Sequence, residues 1–427
     1  MNEFLREPSK PPAIKNAMAP ASERKEQGLP VANFASGNVG QLPVDMRFMD
    51  IDITTREELP SELRSLSKAI KRGIKKVFET PKGLPYSPTG GKDAQKKLAL
   101  DYFSRFHAVS HNDLERVLVT AGGQRAMTAA LRSIKPETTV FLSQWEYAPV
   151  PSILQNNGCK PVKIKVGADL RPNIEELKEK VTKHAVFYLS MPNNPSGFVS
   201  PEILGQIVEI MVDKEGAVIW DAPYLFTILR LTKNSAEFDT SFLDQQLDGF
   251  KEILSQYPRK ICLLSSISKT CLAAGLRFGF ATGTKKWIAN MDNILGREDL
   301  SSPTASFIIG QEILKSFLNK PETHEWLGNI LAHRLSYLRG KNLPLKLPEN
   351  GLFGGLYTLM STRTMEGEEF IKKASKHHGI IPIPGKAFYG EPVNAIRLSL
   401  VSVPWAKGDP WWRKNVETLQ KAIEELL

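Results

Sequence analysis

Cysteine is nearly missing: Cys159, Cys262 and Cys271 are three in 427 residues, with no CxxC spacing among them. That excludes a disulfide framework and fits a reducing compartment. No apolar run approaches the ~18 residues that a membrane helix needs, so no membrane association is expected. The first residues lack the apolar core of a secretory signal, because Glu3 and Glu7 are followed by PSKPP. A cytoplasmic protein is the expectation. HExxH, GxSxG and phosphate-loop signatures are absent, as are internal repeats. His107 and His111 stand four residues apart, but HNDL reads as a helix start, so surface histidines are expected and no metal site. No Arg/Lys-rich tail with interleaved aromatics is present, which argues against nucleic acid. The densest basic run, KAIKRGIKKVF (68–78), spaces Ile70, Ile74 and Phe78 as on a helix with one solvated face.

What is present suits a closed pocket in a two-domain chain. The composition is 41% hydrophobic and 24% charged, and the net charge of +10 favours anionic ligands. Residues 1–30, rich in Pro, Lys, Glu and Ser, read as a flexible arm. From about residue 110, apolar runs recur: RVLVT (116–120), TVFLS (139–143), AVFYLS (185–190), AVIWD (217–221), ICLLS (261–265) and FGFAT (278–282). Helical stretches such as RAMTAALRSI (125–134) separate most of them. This alternation predicts an α/β fold with a largely parallel sheet covered on both faces. After about residue 318 the pattern shifts to a smaller α+β unit. The expected division is 1–30, 31–80 (contributing to the small domain), 81–318 and 319–427.

The unusual polar residues follow directly after the strands, as AGGQ, WEY, MPNNPSG, DAPY and SSISK. In an open α/β sheet, ligands bind where the carboxyl ends of the strands deliver their loops. Gly122, Gly123 and Gln124 stand at a helix start, where exposed amides accept an anion. With Arg277 and the hydroxyls of Ser266 and Ser268 they make a phosphate cup. Asp221 ends an apolar strand and needs a cationic or N–H partner, for which a protonated pyridine nitrogen is suited. Tyr224 and Asn194 can each bond a ring oxygen. Lysine amines add to aldehydes, and desolvation favours the reactive free amine; Lys269 follows an apolar strand. Phosphate, pyridine, ring oxygen and aldehyde together describe pyridoxal 5′-phosphate, an electron sink for carbanions.

These motifs resemble, in order and spacing, those of the class I/II aminotransferases, fold-type I pyridoxal-phosphate enzymes, over roughly residues 31–420. YSPTGG (86–91), TAGGQRA (120–126), PNNPSG (192–197), DAPY (221–224), SISK (266–269) with GLRFG (275–279), and AIRLSL (395–400) carry the resemblance. It implies a mostly parallel seven-stranded sheet sandwiched by helices, with a smaller α+β domain. It also implies an aminotransferase moving an amino group between an L-amino acid and a 2-oxo acid. Lyase, cyclase or oxidase chemistry on the same fold is the alternative. By resemblance Lys269 holds the cofactor, Arg397 clamps the substrate carboxylate, and Tyr86 reaches the phosphate of the partner in a homodimer. SGNVGQLP (36–43) puts Gly37 and Asn38 at the pocket. Tyr147 fits the aromatic that stacks on the cofactor ring, with Trp145 as the alternative. The family often has Asn where Met191 stands and Thr where Ser196 stands. The motifs loosely resemble those of valine–pyruvate-type aminotransferases.

Overall fold

The computed structural model describes residues 13–37, 61–80, 84–403 and 408–427. Seven strands make the main sheet: β1 (Val117–Thr120), β2 (Thr139–Ser143), β3 (Lys160–Ile164), β4 (Val186–Ser190), β5 (Ala217–Asp221), β6 (Ile261–Ser266) and β7 (Gly279–Thr282). Their order is β1-β7-β6-β5-β4-β2-β3. All neighbours run parallel except β7, which is antiparallel to both β1 and β6. Side chains alternate between the faces of a strand, so each apolar run feeds two cores. Val119, Phe141, Phe187, Trp220, Leu263 and Phe280 join one. Leu118, Leu142, Tyr188, Ile219, Leu264 and Ala281 join the other. This double burial is why the strands read as continuous rather than alternating hydrophobics.

A second, antiparallel sheet has four strands, β8 (Leu345–Lys346), β9 (Tyr357–Ser361), β10 (Ile383–Pro384) and β11 (Ala395–Ser399), in the order β8-β9-β11-β10. Ala32–Asn33 pairs in parallel with Ile380–Ile381, which ties the early chain to the late one. The helices that bear on the site and its surroundings are α1 (Ala13–Glu26), α2 (Arg64–Phe78), α3 (Gly123–Arg132), α4 (Ile267–Thr270), α5 (Thr304–Asn319) and α6 (Lys386–Tyr389).

Three expectations need correction. Part of the supposed flexible arm is the helix α1, which lies against Ile380–Ile381 and β10. Its anchor is tertiary: Arg24 donates to the carbonyls of Lys376 (3.0 Å) and Pro30 (3.2 Å), beside Gly379. Composition could not show that contact. The basic run does form a helix, α2, which packs along α5 with Leu66, Ala69 and Ile70 buried. Phe78, however, is 81% exposed at its last position. His107 is not at the surface. It is fully buried against Tyr102, Phe103 and Trp220, and burial holds its imidazole neutral with a pKa of about 3. The helix carrying it ends there, so the i,i+4 relation to His111 never exists on a helix.

Candidate active site

The reversal of β7 builds the anion cup. Running antiparallel, β7 starts where β1 and β6 end, so Gly279 pairs with both Thr120 and Ser266. Arg277, just before it, is thereby delivered to the loop after β1. The approach is close enough that a Cβ on Gly279 would lie 2.4 Å from the Gly122 carbonyl carbon and 2.5 Å from the Gly123 nitrogen. Gly122 caps α3 at φ +88°, in the left-handed region, and a Cβ there would meet the Arg277 guanidinium at 2.6 Å. The first amides of α3 have no carbonyl one turn back and face this space. Ser266 caps the short helix α4 by accepting from the Ser268 amide at 3.4 Å. Ser268 Oγ is buried with no protein partner. An orphaned hydroxyl, a guanidinium and a helix start around two glycines fit a phosphate group.

Asp221 lies at the end of β5, in register with Ser190 and Leu264. Its carboxyl is pushed up to about 7 by burial, against the opposing bond from Tyr188 Oη at 2.8 Å. A cation arriving there would relieve that cost. Tyr147 Oη donates to Gln124 Oε1 at 2.9 Å. Burial raises the Tyr147 phenol to about 12, and its charged surroundings include Tyr357, Asp221, Arg397 and Arg277. These groups therefore surround one space, with Tyr147 among them. The Trp145 ring lies 4.7 Å from that of Tyr389.

Between the two aromatics stands a residue the sequence reading passed over. Glu146 is fully buried and accepts from the Tyr147 amide (2.6 Å), the Ser190 amide (3.1 Å) and the Ser190 hydroxyl. Burial raises its pKa to about 8; the bonds from Ser190 and Tyr147 oppose this, and Asp221 adds to it. Both carboxyls thus keep protons in the folded state that the unfolded chain has lost. Stability should fall as pH rises from about 4 through 8, because the unfolded state then binds fewer protons. Denaturation of cofactor-free protein across that range measures the slope, and Glu146→Gln should flatten its upper part. An unchanged slope in that variant would refute the assignment.

Lys269 sits in α4 and donates from Nζ to the Gly37 carbonyl at 2.8 Å. Gly37 is pressed against Tyr357, whose hydroxyl would lie 1.7 Å from any Cβ on it. Asn38 falls outside the described residues. Tyr224 and Tyr357 meet through their hydroxyls, ring centres 6.1 Å apart. Burial raises the Tyr224 phenol, whereas the Lys269 and Arg397 charges hold Tyr357 below its ordinary value against burial. Arg397 is buried on β11, paired with Leu359 and Ile383 in neighbouring strands. It donates to Asn194 Oδ1 (3.1 Å) and the Ala35 carbonyl (2.8 Å), and Nε has no protein partner. Its guanidinium packs on the rings of Tyr357 (3.9 Å) and Phe388 (4.8 Å). A buried cation with a spare donor and no carboxylate bond suits an incoming carboxylate.

The structure thus brings together Gly37, Gly122, Gly123, Gln124, Tyr147, Asn194, Asp221, Tyr224, Ser266, Ser268, Lys269, Arg277 and Arg397. Tyr86 is the exception: it is 84% exposed. Ser196, standing where the family pattern has Thr, makes a hydroxyl bond to Asn193 Oδ1 at 2.6 Å and fixes the loop beneath Asn194. Tyr188, Glu146 and Tyr357 are the additions. Tyr188 and Tyr357 sit inside strand patterns, where a core tyrosine is the ordinary reading. Only Glu146, a carboxylate among apolar residues after a strand, carried a usable signal. Among the described residues, no group of three or more His, Cys, Asp and Glu is placed to hold a metal ion. Nor is any described helix long and apolar enough to cross a membrane.

Comparison with known proteins agrees with this architecture. Aspartate aminotransferase of Bacillus subtilis (strain 168) is 22% identical over 354 residues, covering 80% of this chain and 82% of the relative. LL-diaminopimelate aminotransferase of Maridesulfovibrio salexigens is 22% identical over 78% of this chain and 83% of its own. An archaeal alanine:glyoxylate aminotransferase superposes with a TM-score of 0.76 at 20% identity, over 98% of this chain and 96% of that one. Aspartate aminotransferase from Thermus thermophilus with maleate gives 0.75 at 19%, over 98% and 100%. At such identities the structural likeness speaks for the fold. The family described as aminotransferase class I and II matches residues 57–404, and the chain belongs to that family.

Proposed function

We propose that this aminotransferase uses pyridoxal 5′-phosphate to move the amino group of an L-amino acid to a 2-oxo acid. The observation that carries this is one cluster of side chains with three differently prepared parts. The cup at Gly122, Gly123, Ser266, Ser268 and Arg277 suits the phosphate, Asp221 the ring nitrogen, and Arg397 the substrate carboxylate. When bound, the cofactor supplies an aldehyde that condenses with amines and a ring that withdraws electrons from the attached carbon.

The chain's own residues do the rest. Arg277, the Ser266 and Ser268 hydroxyls and the α3 amides hold the dianion. Tyr147 would stack on the ring, Tyr224 and Asn194 would bond its oxygen, and the Asp221 carboxylate would keep its nitrogen protonated. Arg397 orients the amino acid through its carboxylate, with Gly37 leaving room at the lysine. Lys269 would hold the cofactor through its amine and, with that amine free, would take the proton of the substrate α-carbon as general base and give it up to a different carbon as general acid. Leu84, Tyr86 and Leu300 are each exposed, on two segments joined by the Ser87–Ser302 bridge. Such exposure fits a homodimer in which Tyr86 meets the partner's phosphate; sedimentation as a monomer would count against it. The site on this reading lies within residues 31–80, 81–318 and 319–427 together, in a cytoplasmic enzyme.

The test is an absorption spectrum of the purified protein with added cofactor, followed by borohydride reduction and peptide mapping. The expected result is cofactor trapped on Lys269, with stoichiometric pyridoxamine phosphate formed on adding a substrate amino acid. Trapping on another lysine would overturn the site. Pyruvate and ammonia released without pyridoxamine phosphate would place the enzyme among the lyases.

A further inference from the structure

Lys163 uses its charge in an unusual way. It stands on β3, and its Nζ donates to the carbonyls of Phe388 (3.1 Å), Tyr389 and Gln144 (3.3 Å). An ammonium has three donors, so all three are used on backbone oxygens. Two of those oxygens end α6, where the last carbonyls of a helix have no partner of their own. Gly390 closes the turn at φ +95°, and a Cβ there would come within 2.9 Å of the ammonium. Burial draws the Lys163 pKa below its ordinary value, with Glu146 and Glu391 opposing. A half-buried cation is thus spent on a four-residue turn and on the residue preceding Trp145.

That turn carries Phe388, which is 3% exposed and packs on the Arg397 guanidinium, and Tyr389, which packs on Trp145. The loop after β2, from Gln144 to Tyr147, and the arginine on β11 are therefore joined through one ammonium and one helical turn. We propose that Lys163 is a positioning residue for substrate-carboxylate recognition, holding α6 so that Phe388 fixes the guanidinium of Arg397. The proposal rests on the assignment of Arg397 to the carboxylate. Loosening the turn breaks no bond to Gly122, Gly123, Ser266, Ser268, Arg277, Asp221 or Lys269, none of which bonds to α6; the link from Lys163 to the loop that carries Tyr147 is through the Gln144 carbonyl alone. The effect should fall on binding of the amino acid and not on the chemical step.

The experiment compares cofactor-loaded wild type, Lys163→Met, Phe388→Leu and the double variant. KM and kcat are measured for one amino acid, with cofactor affinity and melting temperature as controls. Each single variant should raise KM about tenfold, within the range of coupled neighbours, with kcat and cofactor affinity within about twofold. The double variant should be no worse than the poorer single, because both act through one turn. Additive KM effects, an unchanged KM, or a fall in kcat with KM constant would each overturn the proposal. Should Lys163→Met fail to fold, Phe388→Leu alone decides, and an unchanged KM in it is the negative result. Arg397→Ala serves as reference: a KM equal to wild type there removes the carboxylate assignment itself, a failure distinct from that of the latch.

Discussion

Lys269→Ala should leave a folded protein that still takes up pyridoxal phosphate but turns over about 10²–10⁴-fold more slowly. The lysine's hydrogen bond goes to the Gly37 carbonyl, a neutral partner, so its loss leaves no buried charge unpaired. Gly122 and Arg277 of the cup lie on other elements and Ser268 adjoins Lys269 in α4 without bonding to its side chain, so the cup should keep its affinity for the phosphate. What disappears is the amine that holds the cofactor covalently and the group that moves the α-proton. Steady-state kinetics and borohydride trapping check the two losses separately. Activity within tenfold of wild type would show that another group carries the proton.

Asp221→Asn has the second largest expected effect, a fall in kcat of about 10²–10³-fold, comparable to removing one preorganised electrostatic group. The carboxyl is buried, raised to about 7 by that burial, and bonded to Tyr188 Oη. Without a cation nearby its charged form is costly; beside a protonated ring nitrogen the pair is mutually stabilising. The amide keeps the shape and the Tyr188 contact but cannot hold that proton. Asp221→Glu should retain more activity than Asp221→Asn. Equal turnover in Asp221→Asn and wild type would exclude an electrostatic role for this residue.

Much of the site was legible because its chemistry is written in short segments between strands. Arg277 and Lys269 are eight residues apart, and Gly122 and Gly123 are adjacent. The parallel alternation told where such segments must gather. It did not tell that β7 runs backward, although that reversal puts Arg277 against Gly122. A strand of Gly, Phe, Ala and Thr buried on both faces looks the same in either direction. The choice between Trp145 and Tyr147 was likewise undecidable from spacing. Tyr389, over two hundred positions away in sequence, packs on the Trp145 ring, while Tyr147 bonds Gln124, which is why Tyr147 is the one proposed to stack on the cofactor.

By itself, the sequence determined the α/β class and the family, and offered the residues whose donors, acceptors and amine the proposed chemistry uses. Those properties reside in side-chain type, local spacing and the two-sided burial of short apolar runs. Tertiary structure alone decided that His107 is a neutral core residue, that α1 is anchored through Arg24, that Tyr357 meets Gly37, and that Lys163 ties the end of α6 to Gln144. Each depends on neighbours distant in the chain, and burial and bonding partners, unlike periodicity, are not properties of a segment read alone.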